Sequence, residues 1–414
     1  MEPLLLLVHR MPYPPNKGDK IRSYNLLKFL FKKYRIFLAA FVDSAQDWEY
    51  EHKIRELCAD ICLLPLNPLK AKLHSLRGLL TGQALTLPYY YDDNMKLWID
   101  RVIKKEKIKN VVVFSSAMAQ YVCGTLYEEL NRIVDFVDVD SDKWRQYSLR
   151  KHWPASWLYR RESKYLFDFE RQVSCMVSAS LFASQEEAEF FKKNVPECTE
   201  KIGYYNNGVN TDYFCAERSY PNFYPSDAKI LVFTGAMDYW ANIDAVIWFV
   251  TKVFPLIRRQ VKNIIFYIVG SNPCESVRRL AQLQGVYVTG KVDDVRPYLA
   301  HADAAVAPLH IARGIQNKVL EAMAMGCPVV ASSKAAHGIK AIAEKEILVQ
   351  DEPSAFADAL LRLMSGSLGD RLGDAGRRCI LGQYDWSDNL KIVGDLLSSK
   401  CLSNYAQQHG DRRT

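Results

Sequence analysis

At 414 residues the chain is too long for one ordinary core and fits two domains of about 200 residues each. With 49% hydrophobic and 24% charged residues it reads as globular. The net charge of +7 is spread evenly, 31 basic against 27 acidic side chains in residues 1–212, which argues against a basic arm for nucleic acid.

The apolar run at 4–8 reads as a buried strand. It is far too short for a signal peptide or membrane span, and the preceding Met-Glu-Pro lacks a basic n-region. No later stretch is read as reaching spanning length, so a cytoplasmic protein is expected. Ten cysteines show neither a Cys-x-x-Cys pair nor a zinc-type His spacing. Most are expected to be buried thiols in a reducing compartment, with no metal site.

The loop 9–20, His-Arg-Met-Pro-Tyr-Pro-Pro-Asn-Lys-Gly-Asp-Lys, leads into a helix expected over about 21–33. Three prolines stiffen it, and Gly18 lets backbone approach a ligand. Lys17, Lys20 and Arg22 are read as solvated side chains or ligand contacts. No Gly-x-Gly-x-x-Gly follows the first strand, which weighs against a dinucleotide-dependent dehydrogenase.

Further strands are expected at 36–42, 61–64, 111–114, 133–137 and 181–183, with helices such as 98–107 and 186–193 between them. This alternation predicts an α/β fold with a doubly wound parallel sheet, whose ligands sit at the carboxyl ends of the strands. At one such end lies Asp135-Phe-Val-Asp-Val-Asp-Ser-Asp-Lys-Trp144. Asp138 or Asp140 can orient an acceptor hydroxyl there; Ser141 or Asp142 can equally cap the next helix. Residues 143–171 hold eight Lys or Arg, three acids and eight aromatics. That composition suits either a surface lying on anionic lipid or a helix with packed aromatics and solvated cations.

Asn207-Gly208 is a turn signal, and the polar, Pro-containing segment 219–227 reads as a linker. A second domain restarts with a strand at 230–233. The tight loop Thr234-Gly-Ala-Met-Asp-Tyr-Trp-Ala-Asn242 follows and enters a helix expected through residue 253. Strands at 264–269, 286–288 and 304–307 continue the alternation, with Asp294 placed to cap a helix to Ala300. His310 shows no carboxylate partner in the nearby sequence and is read as structural or hydroxyl-contacting.

Residues 314–331, Gly-Ile-Gln-Asn-Lys-Val-Leu-Glu-Ala-Met-Ala-Met-Gly-Cys-Pro-Val-Val-Ala, form the densest motif. Asn317 can cap a helix with one apolar face, Val319, Leu320, Met323 and Ala324, that Gly326 and Pro328 end before an apolar strand. The N-terminus of such a helix suits a diphosphate; Lys318 adds a full charge, and Glu321 can accept from a ribose diol. Helices are then expected near Ala341, at 354–364, 375–381 and 390–397, before a polar tail at 403–414 expected to be disordered.

This string closely resembles the donor-binding segment of retaining GT-B glycosyltransferases, the family-four group, whose pattern ends in Glu-Ala-Met-Ala-x-Gly-x-Pro-Val-Val. Tyr204-Tyr-Asn-Asn-Gly-Val-Asn-Thr-Asp-Tyr-Phe214 resembles the same family's signature at the end of its first domain. The resemblance implies two Rossmann-like domains, an acceptor domain at 1–212 and a nucleotide-sugar domain at 213–383. A helix at 384–402 would cross back to the first. It also implies donor contacts from Gly18, Gly235, Asn242, backbone near Val292, Gly314, Ile315, Lys318 and Glu321.

Two departures stand out. Arg313 occupies the place of the family's first donor-site Glu, and Met237 and Asn242 fall where its loop carries a phosphate-clamping Arg and Lys. Arg313 and Lys318 are therefore assigned to the departing diphosphate and Glu321 to the ribose, in a front-face substitution without a metal or covalent intermediate. Gly18, Lys143-Trp144 and the Gly-Ile-Gln-Asn-Lys variant resemble the sugar transferases associated with exosortase and exopolysaccharide systems. The implied activity is hexosyl transfer from a nucleoside diphosphate sugar to a saccharide or lipid-linked acceptor. A sugar epimerase or hydrolase of the same fold and a non-catalytic sugar-binding scaffold are the alternatives.

Overall fold

The computed structural model describes residues 1–149, 151–312 and 314–398. Arg150, Arg313 and the tail from residue 399, including the stretch expected to be disordered, lie outside the described residues. The chain divides into two compact units: Met1–Asn206 with the chain from Asn389 on, and Asn207–Asp388.

The first unit is built on seven strands: β1 (Glu2–Val8), β2 (Tyr34–Val42), β3 (Asp60–Pro65), β4 (Asn110–Phe114), β5 (Asn131–Val137), β6 (Ala179–Phe182) and β7 (Ile202–Tyr204). They pair in parallel in the order 3-2-1-4-5-6-7. Helices cover both faces, so the central strands carry near-continuous apolar runs; Leu4 to Leu7 are wholly buried. β7 is not apparent in the sequence, because Ile-Gly-Tyr is too short and too Gly-rich to register as a strand.

The Gly18–Phe31 helix starts three residues earlier than the sequence suggests. Its cations correct the solvated reading: Lys20 is buried on Asp47, and Arg22 is buried on Asp135. The Lys391–Leu397 helix belongs to this unit, burying Ile392, Val393, Leu396 and Leu397, with the Leu396 carbonyl accepting from Asn131.

The second unit has six parallel strands, β8 (Lys229–Thr234), β9 (Ile264–Val269), β10 (Val286–Gly290), β11 (Ala304–Ala307), β12 (Val329–Ala331) and β13 (Leu348–Val349), in the order 10-9-8-11-12-13. Each unit thus reverses strand order beside its first strand, where doubly wound sheets bind ligands. The helical run Trp240–Gln260 corrects the expectation that nothing reaches spanning length, being 21 residues long with mean hydropathy 1.3. It is half buried, with Ala245, Val246, Phe249 and Val253 in this unit's core. The helix expected near Ala341 is not there; helix Ser333–Ala336 precedes it, and Ala343 instead bridges Ile347.

Cys175 and Cys198 form a disulfide, so these two lie outside the expectation that most of the cysteines are buried thiols. With Glu197 they are also the group of metal-ligand atoms found within 4.8 Å of one another among the described residues, but a disulfide leaves no thiolate to bind an ion.

Candidate functional site

In the second unit the motif helix runs from Asn317 to Ala324 and ends before Gly326, whose φ is +70°. Val319, Leu320, Met323 and Ala324 form its buried face, as the 3.6-residue period requires. The cap is Gln316 rather than Asn317, and it acts through its carbonyl, which accepts from the N–H groups of Val319 and Leu320. Asn317 is the first helical residue, and its side-chain oxygen accepts from Asn207.

Lys318 leaves this helix start toward the end of β8. Its ammonium donates to Asn242 Oδ1 at 2.5 Å and lies 4.3 Å from the Phe233 ring centroid. Asn242, buried in the first turn of the Trp240–Trp248 helix, is oriented by donating to the Ala236 carbonyl at 2.8 Å. Gly235 admits both groups, since a Cβ there would meet Asn242 Nδ2 at 2.7 Å and Lys318 Nζ at 3.2 Å. Met237 is in the core and offers no charge. The loop that lacks its own cation is therefore supplied with one from a helix 76 residues on.

Glu321 lies one turn beyond Lys318, and its carboxylate has no hydrogen-bond donor among the described residues. Burial pushes the Lys318 ammonium down to about 7, against the pull of Glu321. Burial likewise raises Glu321 to about 7, against the pull of Lys318. Each group is held where a ligand of complementary character changes its protonation most easily.

Gly314 has φ +59°, a left-handed conformation suited to glycine. Ile315 is buried, so only its backbone is available to a ligand. Val292 is half-buried against the core. The cap of the Arg296–Ala300 helix is Val295, acting through its carbonyl, rather than Asp294 as expected; Asp294, one residue earlier, accepts from the Arg296 N–H at 2.9 Å and pairs with the Arg296 guanidinium. That guanidinium stacks 3.8 Å from the Tyr213 ring centroid; burial and then Asp294 raise the Tyr213 phenol, and Glu321 adds a smaller push in the same direction. Sequence reasoning missed Tyr213 as a neighbour of Glu321 and Arg296 as the cation stacked on Tyr213; the Tyr-Phe signature at 213–214 was the available signal. It also missed the partner of His310, whose Nδ1 lies 2.9 Å from Asp244 Oδ2. Asp244 orients the imidazole from the helix that carries Asn242.

In the first unit, Gly18 is the exposed first residue of its helix. Next to it, Asp19 is held by His9 Nε2 at 3.3 Å and Arg10 at 3.1 Å. Burial opposes its ionisation, yet His9 and Arg10 keep it well below the usual carboxylate range. The Asp cluster follows a register shift at the end of β5, where Val137 adopts φ +70°. A β-branched residue in that conformation is strained, and such strain concentrates at ligand-binding positions. Asp138 and Asp140 share Lys143, at 2.7 and 3.0 Å. Burial opposes the Lys143 charge, but the two carboxylates hold it well above its ordinary value. Glu187, raised to about 7 by burial and Asp138, accepts from the Val139 N–H. Ser141 donates to buried Glu170, and Asp142 accepts from Arg145. Asp135 is withdrawn from ligands by its pair with Arg22.

Residues 228–366 match the family described as glycosyl transferases group 1, which makes the second unit a glycosyltransferase domain and the protein a glycosyltransferase. No curated protein matches the sequence significantly. Among solved structures, sucrose-phosphate synthase from Thermosynechococcus elongatus aligns with a TM-score of 0.71 at 18% identity, covering 96% of this chain and 99% of that one. HepE of Anabaena, in complex with UDP and glucose, gives 0.67 at 12% identity, with 97% and 100% covered. WaaG, a glycosyltransferase involved in lipopolysaccharide biosynthesis, gives 0.65 at 16%, with 96% and 100% covered. The fold is therefore GT-B, two Rossmann-like domains in one chain.

Proposed function

From the glycosyltransferase domain of its second unit, we propose that the protein moves a hexosyl group from a nucleoside diphosphate sugar to a saccharide or lipid-linked acceptor, with retention, in making an exopolysaccharide or other cell-surface glycan. The observation that carries this reading is the Lys318 ammonium set at the end of β8, between Gly235 and Asn242, beside the start of the motif helix. A cation, a glycine-lined backbone and a helix N-terminus together form a diphosphate site. Glu321, one turn away, takes the ribose diol, and the HepE complex with UDP and glucose makes a uridine donor the first to try.

Glycosidic cleavage leaves charge on the diphosphate, and Lys318 with the helix N–H groups stabilises it. Arg313 is assigned a second positive charge on the same phosphates. With no carboxylate apparent beside Glu321 as a nucleophile among the described residues, the scheme is front-face: the acceptor oxygen bonds to the anomeric carbon as the bond from that carbon to the diphosphate breaks, and a diphosphate oxygen takes the proton of the acceptor hydroxyl. Asp138 and Asp140, both paired with Lys143, orient the acceptor. The scheme uses no metal. The segment 143–171, with Trp153 and Trp157 exposed, keeps the protein at the cytoplasmic face of a membrane where a lipid-linked acceptor resides.

Thermal-shift screening of UDP-, GDP- and ADP-sugars tests the donor half. A donor at 100 times its dissociation constant stabilises by about 2.7 kcal/mol. No response to any of them would leave a sugar-independent scaffold. Product analysis with the stabilising donor then requires transfer to an added acceptor; isomerised or free sugar formed equally without acceptor would mean an epimerase or hydrolase.

A further inference from the structure

The helices Pro68–Ser75 and Arg77–Thr81 present their leucines outward. Their inner face is made of small residues, Ala71, Ser75 and Gly78, all buried. A Cβ on Gly78 would meet the Gln83 carbonyl at 3.0 Å, so this face is seated closely and has no room for a larger side chain. On the opposite face Leu69, Leu73, Leu76 and Leu80 recur at steps of four, three and four, one stripe of a helical surface. They are 74, 70, 49 and 91% exposed. A surface helix of a soluble domain buries such a stripe in the core; here the core side is occupied and the leucines have no partner in the described chain.

The charges beside the stripe are of one sign. No Asp or Glu occurs between Asp60 and Asp92, whereas Lys70, Lys72 and Arg77 lie within the two helices and are exposed. The Ala155–Met176 helix locks onto the same segment, with Arg161 donating to the Gly78 and Gln83 carbonyls. Trp157, one turn before Arg161, is 55% exposed, and Trp153 is 81% exposed. Apolar side chains in a row, cations around them and indoles at the margin are the components of an interfacial membrane anchor.

We propose that the Leu69–Leu80 stripe docks on an anionic lipid surface, its leucines entering the acyl boundary while Lys70, Lys72 and Arg77 meet headgroup phosphates. A second copy of the chain is the less suitable occupant, because a symmetric pairing would set these cations against themselves. The inference rests on the membrane location proposed above and gives it a second, leucine-lined contact; it draws on the first unit alone and does not depend on the donor chemistry of the second.

The experiment is co-sedimentation of the full chain with vesicles of phosphatidylcholine alone and with phosphatidylglycerol added. The wild type is expected on the anionic vesicles, with binding weakened by salt. Leu73→Glu/Leu80→Glu should lower partitioning by at least about tenfold, with melting temperature and donor response unchanged. Leu283→Glu, an exposed leucine of the second unit, should bind as wild type does. Lys70→Gln/Lys72→Gln/Arg77→Gln should lose the preference for anionic vesicles. The proposal is overturned if the leucine variant binds as well as wild type or if wild type binds neither vesicle. It is equally overturned if wild type is a dimer that the leucine variant dissociates, since the stripe is then a self-interface.

Discussion

Lys318 and Asn242 meet at 2.5 Å across 76 residues of sequence, the lysine from the start of one helix and the asparagine from the first turn of the helix that follows the loop after β8. The loop has no cation of its own, and the lysine fills the same ground from the other side of the strand ends. If this ammonium is what stabilises a departing diphosphate, its loss falls on turnover more than on folding. Lys318→Ala should lower kcat by about 100-fold or more, the size of a lost oxyanion-type donor. Single-turnover rates of sugar transfer, with melting curves as the folding control, check it; an unchanged rate in a folded variant removes Lys318 from the chemistry.

The same pair predicts how donor affinity follows pH. Lys318, depressed to about 7, is charged only below that value, so a diphosphate that needs the ammonium binds less tightly as pH rises through it. Glu321, raised to about 7, is ionised only above it, so a ribose that needs the carboxylate binds less tightly as pH falls. Affinity should peak near 7 and decline on the alkaline side by up to about tenfold per unit, the limit for one proton linked to binding. Calorimetric titration across that range checks both limbs. Lys318→Met should flatten the alkaline limb and leave the acid one.

The motif helix and most strands were legible because apolar runs and 3.6-residue spacing are local properties. β9 and β11 fall on the expected residues, 264–269 and 304–307. What could not be read is pairing at a distance. His310 and Asp244 are 66 positions apart, and Arg22 and Asp135 are 113 apart. A buried Arg looks like a solvated one in sequence, because only the fold supplies the carboxylate that permits burial. The outward leucines at 69–80 show a second limit, since periodicity reveals a stripe without saying which side of the helix meets the protein.

Arg22 shows how costly such a hidden pairing is to disturb. Its guanidinium is 1% exposed, donates to both Asp135 oxygens and to the Tyr205 and Phe182 carbonyls, and stacks 3.6 Å from the Tyr205 ring centroid. The Asp135–Arg22 pair thereby ties the first helix to β5, β6 and the end of the first unit. Arg22→Met should destabilise that unit by about 3–5 kcal/mol, because Asp135 is left buried without its counter-charge. Arg22→Met/Asp135→Leu should recover much of the loss, since removing both charges removes the desolvation penalty. Urea denaturation of the single and double variants gives the coupling directly.

Gly270 offers a test of the donor half-site that leaves every charge in place. It follows β9, and a Cβ added there would fall 1.7 Å from the Gly235 carbonyl oxygen, a contact with backbone that no side-chain rotation relieves. The strand end or the Gly235 loop must then shift, carrying with it the neighbourhood of Asn242 and the Lys318 ammonium. Overpacking of this kind costs about 1–3 kcal/mol, occasionally more. Gly270→Ala should therefore lower stability by at least that amount and weaken donor binding beyond what the stability loss accounts for. Gly290→Ala is the control: its left-handed φ of +72° makes it strained, but a Cβ there has nothing within 4 Å, so it should cost about 1 kcal/mol without a matching change in donor affinity. Equal effects of the two substitutions on donor affinity would mean that the Gly235–Asn242–Lys318 arrangement does not hold the diphosphate.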